Sequence, residues 1–367
     1  MPRLPSRRTL LTTAGALAVI GGAAAVGLQS LGGMADYDAA VAAGRGPLAS
    51  RPEMRDLIRY ATLAANSHNS QPWRFRLFEE RITIMPDPAR RLPAVDPDDH
   101  HLWASLGCAA ENLALAARSR GRGAEIRSGP QTVDPVTVAF GGAPAAEPDL
   151  FGAIPLRQST RTDYDGRAVG TAELRALEAA AAVPGVDLVL VTDRPRIDRL
   201  RDLILAGNGV QLADPAFRNE LKSWLRFNPR QAIATGDGLF SVLSGNPNVP
   251  TFLGSLLIDW FLTAAAENDK YARQIASSAG LAVFVAERDG PDHWMRAGRA
   301  SQRFALKATA LGLKHAFLNQ PVEVARLRPE LATLVGLAGR RPNIVMRFGH
   351  GPAMPYSARR PVETVLA

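Results

Sequence analysis

The chain of 367 residues is longer than a typical single domain, so it fits two modules or one large unit that combines helices and strands. Its hydrophobic content of 46% is ordinary for a globular core, and many Ala beside few aromatic residues indicate more helix than strand. The net charge of +8 comes from scattered Arg without a dense basic run, which argues against nucleic-acid binding and suits an anionic cofactor or substrate.

Residues 1–35 are predicted to be an export signal rather than part of the fold. Adjacent Arg7 and Arg8 precede a Gly- and Ala-rich apolar stretch that has no charge until Asp36, which is typical of a twin-arginine signal. A membrane anchor is the alternative, because the stretch is long enough to span a bilayer. The sequence therefore predicts export by the twin-arginine machinery to the periplasmic side of the cell envelope, with membrane anchoring left open.

The octapeptide from Asn66 to Trp73, NSHNSQPW, concentrates short donors and acceptors immediately before a proline. Pro72 fixes its own φ and restricts the residue before it, so the segment is expected to form an extended turn. Such a loop suits contact with a flat ring that has polar edges. An ordinary surface loop rich in Asn and Ser is the alternative.

Two segments align without a gap at an offset of 191 residues (294 − 103), one from Trp103 to Gly121 and one from Trp294 to Gly312. Each is free of Pro, is apolar at helical spacing and ends at a Gly that indicates a helix stop. Cys108, the only cysteine, excludes an intramolecular disulfide and is expected to be buried in the first helix. Two unrelated Ala- and Leu-rich helices are the alternative to a duplication.

Predicted strands support the duplication, and the Pro- and Gly-rich stretch from Gly141 to Pro148 is the best linker between halves. We therefore expect an export signal at 1–35, a first half at 36–148 and a second half at 149–367, both of class α+β. Residues 211–250 carry four Pro with little periodicity and are interpreted as a lid-like insertion or a surface excursion. The predicted strands are Trp73 to Phe78, Arg81 to Met85, Val136 to Phe140, Val186 to Val191, Ala282 to Val285 and Ile344 to Phe348.

Three further stretches of the second half are candidates for ligand contact. The run from Arg157 to Arg161 places two fork-shaped cations around hydroxyl residues, as a phosphate requires. The stretch from Gly312 to Glu323 follows the second repeat helix, and Arg359 with Arg360 follows the last predicted strand. His100 and His101 lie beside Asp98 and Asp99, but adjacent His on a helix point apart, so we predict a helix start and no metal site.

These motifs resemble those of the nitroreductase family, and in particular its exported tandem branch, the Acg-type FMN-binding oxidoreductases. The resemblance implies a nitroreductase-like α+β fold whose two tandem halves form a pseudo-dimer, so that a monomer builds one FMN site across its halves. It assigns no catalytic residue. The implied cofactor-binding residues are Ser67, His68, Asn69, Gln71, Arg157, Gln158, Ser159, Arg161, Pro321, Val322, Glu323, Arg359 and Arg360.

The resemblance also implies the chemistry. A reduced nicotinamide, NAD(P)H, would deliver hydride to FMN, which would then reduce a small acceptor such as a nitro compound or a quinone. Within the family's pattern, the backbone around Pro321 to Glu323 would approach the reactive ring nitrogen of the flavin. Here Val324 stands where the family has Gly. A catalytically silent protein that sequesters FMN beneath a closed lid, and a structural protein without flavin, are the alternatives.

Overall fold

The computed structural model describes residues 31–128, 136–143 and 145–367. The predicted twin-arginine motif at Arg7 and Arg8 therefore lies outside the described residues. In the part of the chain that is described, no helix is both long enough and apolar enough to cross a membrane.

The first half is a four-stranded antiparallel sheet packed against one long buried helix. The predicted hairpin and the strand at Val136 to Phe140 are present, and the strands lie in the order β1-β2-β4-β3. The elements of this half are α1 (Met34–Gly44), α2 (Met54–Thr62), β1 (Trp73–Phe78), β2 (Arg81–Pro86), α3 (His100–Arg118), β3 (Ala124–Arg127) and β4 (Val136–Phe140).

The second half repeats this plan with additional helices. Its antiparallel sheet has the order β5-β8-β10-β9, which matches the first sheet strand for strand when each half is followed along the chain. The mixture of helices and antiparallel sheets confirms the α+β class. The elements are α4 (Pro148–Ala153), α5 (Thr171–Ala181), β5 (Val186–Val191), α6 (Arg194–Ala213), α7 (Pro215–Trp224), β6 (Leu225–Arg226), α8 (Pro229–Thr235), β7 (Leu239–Phe240), α9 (Thr251–Phe261), α10 (Ala264–Ala276), β8 (Gly280–Ala286), α11 (Pro291–Ala310), β9 (Lys314–Phe317), α12 (Gln320–Glu323), α13 (Arg328–Leu334), β10 (Pro342–Gly349) and α14 (Val362–Val365).

Helices α3 and α11 cross at two glycines and join the halves. A Cβ atom on Gly107 would lie 2.1 Å from the Met295 carbonyl oxygen, and one on Gly298 would lie 2.0 Å from the Ala104 carbonyl oxygen. Both the two glycines and the two carbonyls are separated by 191 residues (298 − 107 and 295 − 104). The contact is therefore reciprocal, as it would be across the two-fold axis of a dimer.

Residues 211–250, where the sequence shows little periodicity, contain regular structure. This region is mostly helical, and with α9 and α10 it forms a continuous unit that we call the lid, residues 211–276. Pro215 and Pro229 each occupy the first position of a helix, behind the capping side chains of Asp214 and Asn228. Proline is favourable at that position because its missing N–H would have had no helical partner.

Candidate functional site

The loop after α2 is held in a strained conformation. His68, Asn69 and Gln71 have φ of +48°, +52° and +52°, a region that residues other than Gly seldom occupy. The Asn66 Oδ1 atom accepts a hydrogen bond from the Gln71 backbone N–H at 2.8 Å, which closes the turn. Such strain persists only where surrounding contacts enforce it, and it concentrates at functional sites.

Asn69 and Gln71 bind protein groups and not the open cleft. Asn69 Nδ2 donates to the carbonyls of Gly238 and Ala358, at 3.1 and 3.2 Å. Gln71 Nε2 donates to the Gly236 carbonyl at 2.8 Å, while its Oε1 accepts from the Arg360 backbone N–H at 2.9 Å. These two side chains therefore fasten the strained loop to the lid and to the C-terminal segment.

A cleft lies between this loop, α3 and the lid. The cleft consists of two cavities, with volumes of about 200 and 340 Å³, and several residues line both of them. Arg161 lines both cavities, and its guanidinium makes no hydrogen bond or ion pair with any residue that the structure describes. The smaller cavity is the polar one, and the predicted site residues in its wall are Ser67, His68, Arg161 and Glu323.

His68 and Glu323 both line the smaller cavity, and burial shifts the pKa of each side chain toward its neutral form. Burial lowers the pKa of His68 to about 4, so its imidazole is neutral at neutral pH, and its shielded Nδ1 has no described partner. Burial also raises the pKa of Glu323, whose Oε2 accepts a 2.6 Å hydrogen bond from Gln211 Nε2. His101 Nε2 lies 3.5 Å from the other oxygen of Glu323.

Three arginines, of which Arg157 is buried and Arg45 and Arg359 are half-buried, converge behind the strained loop. Arg157 and Arg359 both donate to the Leu63 carbonyl, at 3.2 and 3.3 Å. Arg45 donates to the Pro155 carbonyl at 2.7 Å, and its guanidinium lies 4.2 Å from the ring centre of Tyr356. We call these three residues, Arg45, Arg157 and Arg359, the arginine cluster.

The arginine cluster has no carboxylate partner among the residues that the structure describes. None of its members is within 4 Å of a carboxylate in the described part of the chain, and Nε of Arg45 with Nε and Nη1 of Arg157 are buried without acceptors. Burial first, and repulsion between these cations second, lower the pKa of Arg45 to about 10 and that of Arg359 well below its usual range. Buried cations without partners are costly, and a phosphate would supply the missing acceptors.

The remaining predicted residues lie outside the cleft wall. Gln158 is tied to Met354 by hydrogen bonds of 2.7 Å in both directions, and Ser159 forms a parallel backbone bridge with His315. Pro321 and Val322 are buried in α12. The backbone N–H groups of Val322 and Glu323 both donate to the Asn319 carbonyl at 2.8 Å, so they already have acceptors. Arg360 donates to the Thr364 carbonyl at 2.8 Å and contributes its backbone N–H to Gln71.

Sequence reasoning missed Arg45, His101 and Tyr271, although Arg45 belongs to the arginine cluster and the other two line the smaller cavity. Arg45 lies in the stretch Gly44-Arg45-Gly46, which carries no recognisable motif. Among the described residues, no group of three or more His, Cys, Asp or Glu is placed to hold a metal ion. His100 instead contacts the Asn343 side chain, with its Nε2 3.1 Å from Asn343 Nδ2.

The offset of 191 residues relates the smaller cavity to a second position in the fold, where the arginine side chains form ion pairs. Adding 191 to Ala104, Ser105 and Cys108 of the smaller cavity gives three residues that line a separate void of about 170 Å³: Met295, Arg296 and Arg299. Arg296 pairs with Asp292 and Arg299 with the buried Glu111, at 2.8 and 2.9 Å. Of these two related positions, only the first has in its wall a cation, Arg161, that is unpaired among the described residues.

The sequence is similar to that of curated proteins from Mycobacterium tuberculosis (strain H37Rv). It is 27% identical to "Putative NAD(P)H nitroreductase Rv3131" over 342 residues, which cover 88% of this chain and 95% of that protein. It is 24% identical to "Putative NAD(P)H nitroreductase acg" over 331 residues, which cover 85% of this chain and 94% of that protein. Over most of its length the chain is therefore similar to nitroreductase-like proteins of the Acg type.

The comparisons with family models and with solved structures say less about the family of this chain. No family model matches this chain. The FMN-dependent nitroreductase NfnB of Mycobacterium smegmatis in complex with NADPH is 15% identical, with a TM-score of 0.37 over 55% of this chain and 87% of that one. A nitroreductase with bound FMN from Bacteroides fragilis is 14% identical, with a TM-score of 0.36 over 56% of this chain and 90% of that one. Because these TM-scores are low and the overlaps are partial, only the curated relatives bear on the family of this chain.

Proposed function

We propose that this nitroreductase-like protein is an exported FMN-binding oxidoreductase that uses NAD(P)H as its electron donor. The arginine cluster carries the proposal, because the unpaired N–H groups of Arg45 and Arg157 provide a place for the 5′-phosphate of FMN. Arg157 and Arg359 donate to the Leu63 carbonyl, and the same loop continues to Ser67 and His68 in the wall of the smaller cavity, so we place the phosphate at the cluster and the ring at that wall. Arg45 and Arg359 also line a further cavity of about 340 Å³. The relatives' names, which include NAD(P)H, support the donor.

FMN would accept a hydride from the nicotinamide and pass electrons to a second substrate. The chain's own contribution is position and electrostatics. Arg161 places an unpaired positive charge between the two cavities, where it would stabilise negative charge on a bound ring. His68 presents a neutral imidazole whose Nδ1 is free to bond a polar ring edge.

The larger cavity supports an acceptor of the nitro-compound or quinone class. Its wall is mostly apolar, with lid residues on one side and β9 on the other, so it favours a flat ring over a highly charged molecule. The apolar side chains in this wall include Leu221, Phe227, Leu239, Phe240, Leu257, Ile258 and Phe317.

A catalytically silent FMN-sequestering protein is the second candidate, and the lid favours it. Leu212, Phe217, Leu221 and Leu262 of the lid line the smaller cavity directly, where a nicotinamide would have to approach a flavin ring. We further propose that the two halves arose by duplication and that the monomer is an internal pseudo-dimer. The matching strand orders and the reciprocal contact at Gly107 and Gly298 support this.

The first experiment is a visible spectrum of the purified full chain, with flavin released and quantified. We expect a bound flavin, and Arg157→Ala combined with Arg161→Ala should weaken its retention by about tenfold or more, since charge-assisted bonds to phosphate are lost. Arg167→Ala is the matched control, because Arg167 is exposed and pairs only with Asp165. Unchanged flavin content in the double variant would refute the phosphate assignment.

A second experiment separates the two candidate functions. NADPH is added to the flavin-loaded protein without oxygen, and absorbance of the oxidised flavin is followed. Rapid bleaching is expected of an oxidoreductase. Reduction by dithionite but not by NADPH or NADH would instead favour the sequestering protein.

A further inference from the structure

The outer face of α9 carries an apolar stripe that no described residue covers. Phe252, Leu256 and Trp260 are 75%, 69% and 79% exposed, the highest values of any large apolar side chain in the described residues. Their spacing of four places them on one face of the helix. We call these three residues the apolar stripe. A contiguous exposed apolar face is typical of an interaction surface.

The opposite face of α9 makes the contacts with the rest of the lid, so the helix does not need the apolar stripe for its packing. Leu257 and Ile258 line the larger cavity. A Cβ atom on Gly254 would lie 2.4 Å from the Phe227 ring, which shows how closely the inner face approaches the lid beneath it. The helix is therefore apolar on both faces, a pattern expected when both faces are covered.

The charge pattern of α9 favours an uncharged, apolar environment over an ionic partner. Asp259 is the only charged residue in the helix, and its Oδ2 already accepts a 2.6 Å hydrogen bond from Lys222 Nζ. The stripe also ends in Trp260, a residue whose ring prefers the headgroup level of a bilayer. Surface helices that present Trp, Phe and Leu on an exposed face can bury that face at the acyl boundary of a membrane.

The path of the chain points to the same environment. The side chain of Asn228, which caps α8, donates a 3.0 Å hydrogen bond to Thr251, the first residue of α9. Two residues after Asn228, the Arg230 backbone N–H donates to the Leu31 carbonyl at 2.9 Å. The chain thus enters the described fold beside the start of α9. Residues 10–30, which precede this point, contain no charged side chain.

We propose that α9 docks on a lipid bilayer, with the apolar stripe buried at the boundary between headgroups and hydrocarbon. This surface is separate from the arginine cluster, so the proposal does not depend on FMN binding. Because the stripe carries no cation, docking is governed by apolar burial and should change little with salt or with the anionic lipid content.

The test places a polarity-sensitive fluorophore on the full chain through Ser255→Cys, an exposed position on α9. The native Cys108 is buried and its thiol pKa is raised to about 12, so labelling selects the introduced cysteine. Ala179→Cys, an exposed position on α5, is the matched control. Vesicles of phosphatidylcholine, with or without phosphatidylglycerol, are then added.

We expect a blue shift for the label on α9 and none for the label on α5. Replacing the stripe by Phe252→Ser, Leu256→Ser and Trp260→Ser should lower the vesicle partition coefficient by about tenfold or more, given the area removed from water. Circular dichroism and flavin content check that this variant is folded. Vesicle binding without a shift on α9, no binding at all, or concentration-dependent dimerisation that buries the label without lipid would each overturn the proposal.

Discussion

Arg45 shows how a residue with no motif can complete a binding site. Its guanidinium is held by one carbonyl and one aromatic ring, and its buried Nε has no acceptor among the described residues. Repulsion from Arg157 adds to burial in lowering its pKa to about 10. A cation held in this way is more stable when an anion is bound beside it.

We therefore expect Arg45→Met to weaken FMN retention by about tenfold or more, because one charge-assisted interaction with the phosphate is lost. Riboflavin, which lacks the phosphate, should bind the variant and the unaltered protein with similar affinity. Titration of flavin-free protein followed by fluorescence measures both. Arg51→Met, at an exposed position nearby, is the control and should leave both affinities unchanged. Equal losses for FMN and riboflavin would contradict a phosphate contact.

The sequence predicts which residues belong to the site more readily than it predicts where their side chains point. The motif reading selected Arg157 and Arg359, which lie 202 residues apart (359 − 157), and the structure joins both to the Leu63 carbonyl. The same reading selected Asn69 and Gln71 for the flavin, but both side chains bind backbone groups of the lid and C-terminal segment. Their direction depends on positive φ values, which Gln in particular seldom adopts without tertiary constraint.

The long helices are predictable because their signals are local, whereas the helices of the lid have no such periodic signal. Helices α3 and α11 show apolar periodicity and end near a Gly, so their positions follow from the sequence. In the lid, Pro215 and Pro229 lie in a stretch with little periodicity. Each is the first residue of a helix, a distinction that needs the capping residue before it to be recognised.

The crossing of α3 and α11 gives a prediction for these elements. Gly107→Ala and Gly298→Ala should each lower the free energy of unfolding by more than about 3 kcal/mol, because the added methyl group would meet a backbone carbonyl that cannot move without separating the helices. Denaturant titration measures the loss.

Gly209→Ala is the matched control for these two variants. Gly209 is also helical, in α6, but a Cβ atom there would meet nothing within 4 Å. We expect this change to be neutral or to stabilise the protein by up to about 1 kcal/mol, as the helix preference of Ala over Gly predicts. Similar effects at Gly107, Gly298 and Gly209 would show that the crossing is not the tight contact described above.

At the level of the whole molecule, the two halves share topology but not chemistry. Both sheets have the same strand order, and the central helices contact each other reciprocally. The cavity on one side faces unpaired Arg161, whereas the related void on the other side is bordered by Arg296 and Arg299 in ion pairs. Sequence similarity between the halves could suggest the shared topology, but only the positions of partner carboxylates distinguish an open site from a closed one.

This asymmetry predicts one FMN per chain in a monomer. Flavin released from pure protein and divided by protein concentration should give a ratio near one at saturation, and light scattering should report the mass of a single chain, 39.2 kDa before any processing. Arg296→Ala is the control at the related void, and it should leave the ratio unchanged because Arg296 is already paired with Asp292. Arg157→Ala should lower flavin occupancy without changing the mass. A ratio near two, or a loss of flavin in Arg296→Ala, would mean that the ion-paired position also binds a cofactor.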